Sequence, residues 1–171
     1  MENLLKITTK NLSQTEPGEL IRLKAGHSYN FAIVLRDGEH PVLGFLNKIH
    51  PNDQRDIPQP QCFYVSPTHD PIVASYGVDW VVFPITTIDS EVGKAVNIEE
   101  HSGVLHIDQA VNLISFIGFN EMQEPLSFST ETWQPSNYTR PSTISFKDWD
   151  IWRSKEHFDK FPQKPLISIR A

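Results

Sequence analysis

The chain has 171 residues, 39% hydrophobic and 21% charged, with a net charge of −6. That size and balance suit one globular domain over residues 1–171 and exclude a disordered or fibrous chain. A lone cysteine, Cys62, excludes an intramolecular disulfide and fits a reducing compartment.

In chain order, the first strand signal is "ELIRLK" (19–24), which follows the turn-forming "EPG". "SYNFAIVLR" (28–36) is the clearest strand. Tyr29, Phe31, Ile33 and Leu35 share one face by period-two spacing, opposite Asn30, Ala32, Val34 and Arg36. "AGHS" between these runs predicts a hairpin. "RDGE" predicts a second one, leading into "HPVLGFL" (40–46). A polar, proline-punctuated loop of about 14 residues (47–60) is longer than most connections.

"QCFYVS" (61–66) and "IVASYGVDWVVFPI" (72–85) read as strands, the second bent at Gly77. Residues 94–108 predict a hairpin turning at Gly103, and "PLSFST" a short strand. "DQAVNLISFIGF" (108–119) fits both a capped helix and a buried strand. "SFKDWDIWRSKEHFDKF" (145–161) is the best helix candidate, with Ser145 and Asp148 as a capping signature. "PLISIR" (165–170) closes as a strand. Many strands with turns about every ten residues and one late helix predict a mainly β protein, α+β being the variant. The expected architecture is an antiparallel barrel or sandwich with one C-terminal helix.

Four groups of residues carry the candidate chemistry. In "EEHSGVLHID" (99–108), hairpin alternation puts Val96, Ile98, Leu105 and Ile107 on a core face. Asn97, Glu99, His101, His106 and Asp108 then share the opposite face, expected to meet solvent. The alternative reading makes Glu99, His101, His106 and Asp108 metal ligands, since imidazole and carboxylate both bind zinc and iron. In "CFYVSPTHDP" (62–71), His69 and Asp70 are the candidates for acid–base work, whereas Cys62 reads as a buried, inert thiol. In "GVDWVVFP" (77–84), Asp79 would be a general acid or base if buried, and otherwise faces solvent. Trp133 and Tyr138, in a polar segment, are candidate binding anchors, while Trp149 and Trp152 read as core. No glycine-rich phosphate loop and no G-x-S-x-G elbow occurs, and no cofactor is expected.

Charge is distributed unevenly along the chain. Residues 56–139 hold eleven acids against Lys94 alone, net −10, whereas residues 140–171 hold seven bases and four acids. An acidic stretch repels phosphate backbones, so nucleic acid is not an expected partner, and a basic protein is. No run approaches the roughly 18 apolar residues of a spanning helix. The N-terminus lacks the pattern of a secretory signal, so a cytoplasmic location is expected. The sequence therefore reads as an acidic binding module, of the inhibitor or immunity type. The rivals are a metal-dependent or His/Asp enzyme and a small-molecule-binding β-barrel.

Overall fold

The computed structural model describes residues 7–25, 28–46, 62–87, 103–107, 112–118, 125–136 and 143–170. The first antiparallel layer contains β1 (Thr8–Asn11), β2 (Leu20–Ala25), β3 (Ser28–Asp37), β4 (His40–Phe45), β5 (Phe63–Val65) and β6 (Ile72–Ser75). Their spatial order is β1-β6-β2-β3-β4-β5. The second layer contains β7 (Val81–Thr87), β8 (Leu105–Ile107), β9 (Leu113–Gly118), β10 (Pro125–Ser129), β11 (Ile144–Trp152) and β12 (Ile167–Arg170). There β10 pairs with β9, β9 with β8 and β8 with β11, and β11 also pairs with β7 and β12. The layers are stitched by a short parallel pairing of β5 with β9, Phe63 opposite Ile117. The result is mainly β and sandwich-like, not a closed barrel, with one short C-terminal helix, α1 (Lys155–Lys160). Among the described residues no helix is long and apolar enough to cross a membrane.

Side-chain alternation explains the packing. In β3, Ile33 and Leu35 enter the core between the layers, where they join Leu20, Val42, Phe116, Phe128, Trp149 and Ile151. The alternate residues Ala32 and Val34 belong to a second cluster with Ile21, Leu43, Phe45 and Phe63 on the reverse of the same strands. The middle of β3 is thus buried on both faces, which explains its nearly continuous apolar sequence. Tyr29, which shares the Ile33 face by spacing, lies beyond the packed region and is 64% exposed. The β3–β4 hairpin closes with Asp37 opposite His40. Gly38 at φ +59 is therefore the first of two turn residues, and Glu39 does not share its positive φ. A single left-handed glycine at that position is the type II′ arrangement.

Three strand readings resolve as follows. The run 72–85 parts near Gly77 into β6 and β7, and residues 113–118 of the ambiguous segment are strand. Of the hairpin expected over 94–108 the described residues include only 103–107, and these overturn its pairing: Leu105 and His106 bond to β9 on one edge and to β11 on the other, so neither edge of these residues is left for the expected partner strand.

The helix expected over 145–161 forms only at its C-terminal end. Residues 144–152 are β11, the strand that β7 flanks on one side and β8 and β12 follow on the other. Backbone pairing on both edges, with Trp149 and Ile151 fully buried between the layers, outweighs the local Ser145–Asp148 capping signal. The helix instead starts after Ser154, whose hydroxyl accepts a hydrogen bond from the His157 amide. Lys155–Asp159 and Lys160–Glu156 pairs run along its surface.

Candidate functional site

The chain changes layer between β6 and β7, and residues 76–80 carry the crossover. Its first half is tied to β2: the Tyr76 amide donates to the Leu20 carbonyl, and the Leu20 amide to the Gly77 carbonyl. Its last residue, Trp80, donates from Nε1 to the Gly18 carbonyl at 2.8 Å. Trp133 meets it there, the two indoles tilted at 46° with centroids 5.6 Å apart. Gly18 is the seat of this pair. It sits at φ +86, and a Cβ there would collide with the Trp133 indole.

Trp133 is itself held in a left-handed backbone conformation, φ 58, and no other described non-glycine residue has a positive φ. Such geometry costs an L-residue of order 1–3 kcal/mol and persists only where neighbours enforce it. Its amide donates to the Ser129 carbonyl, and its carbonyl accepts from the Arg36 amide. Next to it, Gln134 exchanges hydrogen bonds with the Gly38 amide and carbonyl at the hairpin tip. These contacts aim the half-buried indole over a cavity of about 240 Å³ lined mainly by apolar residues, Val78, Val82, Leu105, Ile107 and Ile114, with Asn112 and Thr130 as its polar part. Apolar walls with two indole faces can hold a ring or short chain by area burial.

Val78 also borders a second, polar cavity of about 430 Å³. Its buried group is Glu19, whose carboxylate accepts from Lys10 Nζ and from the Glu16 amide at 2.7 and 2.8 Å, and from the Ser75 hydroxyl. Burial pushes this carboxyl up, but hydrogen bonds from Lys10, Ser75 and Glu16, with the Lys10 charge, hold it below its ordinary range. A depressed carboxylate is a poor base for drawing the Ser75 proton, so the Ser75–Glu19 contact fixes structure and does not activate a nucleophile.

The sequence candidates fall in separate places. Trp133 stands at the apolar cavity, whereas Tyr138 lies outside the described residues. Asp79 is exposed on the rim of the polar cavity. His69 is exposed and hydrogen-bonds Thr68. Asp70 accepts from the Ser13 amide and hydroxyl, both at 2.7 Å, and from Asn11 Nδ2. Those bonds, the Ser13 amide first, keep its carboxyl below the ordinary range and pin the 3-10 turn Leu12–Gln14. His69 and Asp70 therefore do not join Asp79 around either cavity. Cys62 is fully buried, and burial pushes its thiol up to about 12, which leaves it unreactive as a nucleophile.

Glu99, His101 and Asp108 lie outside the described residues. For His106 the solvent-face expectation is overturned: it is only 1% exposed. Its Nδ1 hydrogen-bonds the Ser145 hydroxyl at 2.8 Å and its Nε2 the Ser115 hydroxyl at 2.7 Å; Ser115 in turn meets Ser127 at 2.9 Å. This row crosses β10, β9, β8 and β11 on the face turned away from the inter-layer core. Alternation placed His106 opposite Leu105, as the spacing predicts, but the far face of this layer is covered too. Burial then pushes the imidazole down to about 4, so it is neutral near pH 7 with both ring nitrogens occupied. Among the described residues no three His, Cys, Asp or Glu side chains gather as a metal ligand set.

Sequence reasoning missed Trp80, Glu19 and Lys10. Trp80 stood beside the Asp79 already singled out, and its indole is what faces Trp133. Nothing local marks Lys10 and Glu19 as partners, since only the β1–β6–β2 arrangement brings them together. Comparison with family models, with curated proteins and with solved structures found no match to this chain.

Proposed function

We propose that this protein is a binding protein, and that its site for a small apolar ligand is the cavity beneath Trp80 and Trp133. The observation that carries the reading is Trp133, kept in a left-handed backbone conformation so that its indole completes a mainly apolar cavity of about 240 Å³. A well-packed core leaves few voids larger than a water molecule, and backbone strain of this kind concentrates at ligand clamps. Catalysis has less support, because among the described residues no base and nucleophile are paired for reaction on either cavity. Titration with 2-phenylethanol, a neutral ring compound, tests the reading through the tryptophan fluorescence. Saturable quenching is expected, and Trp133→Ala abolishes it while the folded far-ultraviolet spectrum is retained. Lack of saturation in the parent protein overturns the reading.

A second reading has its own support, the net charge of −10 over residues 56–139. On that reading the chain is an acidic module, of the inhibitor or immunity type, that docks on a basic protein. Charge complementarity of this sort accelerates association more than it tightens it. The association rate with a basic partner should then fall steeply with salt, and a salt-independent rate removes this reading.

A further inference from the structure

The polar end of the tryptophan cavity bears on what the ligand carries. In the β9–β10 pair, Leu113 lies opposite Ser129 and Ile114 opposite Phe128. Alternation therefore puts Asn112, Ile114 and Phe116 on one face of β9, with Thr130, Phe128 and Leu126 beside them along β10. Ile114, Phe116 and Phe128 are buried in the core between the layers, and Leu126 packs against it. Asn112 and Thr130 continue this core-facing row past its last apolar pair. The backbone joins them, the Thr130 amide donating to the Asn112 carbonyl at 2.8 Å.

Core-facing positions of a strand ordinarily take apolar residues. Here an amide and a hydroxyl hold two neighbouring ones, and both line the cavity. Among the described residues no hydrogen bond engages either side chain. Asn112 is exposed and Thr130 half-buried, so they form the wet end of the cavity. The indole N–H groups are turned elsewhere. Trp80 Nε1 donates to the Gly18 carbonyl, and Trp133 Nε1 also lies against Gly18, the first atom a Cβ there would meet.

We infer that the ligand is an alcohol with an apolar body: the body lies beneath Trp80 and Trp133, and the hydroxyl bonds Thr130, Asn112 or both. A hydroxyl donates and accepts, as do the threonine hydroxyl and the asparagine amide. This rests on the preceding reading of the cavity and adds the ligand's polar group.

The test compares 2-phenylethanol with ethylbenzene, the same body without the hydroxyl, by calorimetry and by tryptophan fluorescence. Thr130→Val and Asn112→Leu keep the side-chain shape and remove the hydrogen-bonding group. In one or both variants the alcohol should bind about threefold more weakly, the scale of one solvent-accessible neutral hydrogen bond. Ethylbenzene should bind no more weakly than to the parent protein. Unchanged alcohol binding in both variants overturns the inference and leaves the apolar site standing. Equal losses for the two probes also overturn it, because they report an altered cavity and not a lost hydrogen bond. Failure of both probes to saturate the parent protein overturns the apolar-site reading, and the inference with it.

Discussion

The two faces of β8 teach different lessons. Leu105 and Ile107 border the cavity under Trp80 and Trp133, whereas His106 between them closes a row of serine hydroxyls. The histidine row contains the residue types that suggest chemistry, yet it is buried and its hydrogen bonds are satisfied. The tryptophan corner contains none of those types, yet its packing is incomplete and its backbone strained. On the proposed reading, the cavity is a better guide to the site here than the reactive side chains are. A buried polar network that satisfies itself rigidifies a fold, while a cavity held open against strain leaves room for a ligand.

Substitutions and pH changes can break or sharpen this contrast. The largest loss is expected for Gly18→Ala, which combines a left-handed backbone with a collision against Trp133. Strain and overpacking together should cost roughly 4 kcal/mol in chemical denaturation. A loss below about 1 kcal/mol would mean that Trp133 leaves its seat easily, and the clamp would no longer be enforced by its neighbours.

Next comes the acid dependence of the histidine row. The folded protein holds His106 near 4 against an ordinary 6.5, so the unfolded chain binds the extra proton between those values. Stability from this group is complete above pH 6.5 and declines as pH falls toward 4, by about 3 kcal/mol in all. His106→Gln should remove that slope across pH 6.5 to 4. If the slope persists in the variant, the imidazole is not the group that titrates.

A smaller effect is expected for Lys10→Met, which leaves Glu19 buried with two hydrogen bonds and no counter-charge. The cost should be about 2 kcal/mol at pH 7. It should shrink in acid, where the carboxyl is protonated in both proteins. An unchanged midpoint at pH 7 would show that the Lys10–Glu19 pair contributes nothing net. Smallest of all, Lys155→Ala breaks a solvent-exposed pair on α1, its partners 83% and 57% exposed, and should change stability by less than about 0.5 kcal/mol. A loss of 2 kcal/mol or more there would mark α1 as part of the core, on the scale of a buried contact.

Much of the strand layout was legible because alternation and turn chemistry are local. Gly38 announced the β3–β4 hairpin, and the spacing of Ile33 and Leu35 gave their shared face. Residues 144–152 misled because Phe146, Trp149 and Trp152 fit a helical repeat as well as a strand, and only pairing with β7, β8 and β12 separates the two. Of the candidate site, Trp133 could be picked out as an aromatic in a polar segment. Its partner Trp80 lies 53 positions earlier in the chain and became visible only when the crossover carried it to Gly18.

Sequence alone determined the β class, the β2–β3 and β3–β4 hairpins and the division of β8 into two chemically different faces, since each follows from turn chemistry or period-two geometry over a few residues. Tertiary structure decided which faces are dry and where space remains. Both depend on how two layers of strands, distant in sequence, lie against each other. His106 is buried because its layer is covered on both sides, and the tryptophan cavity exists because Gly18, Trp80 and Trp133 meet where the chain passes from one layer to the other.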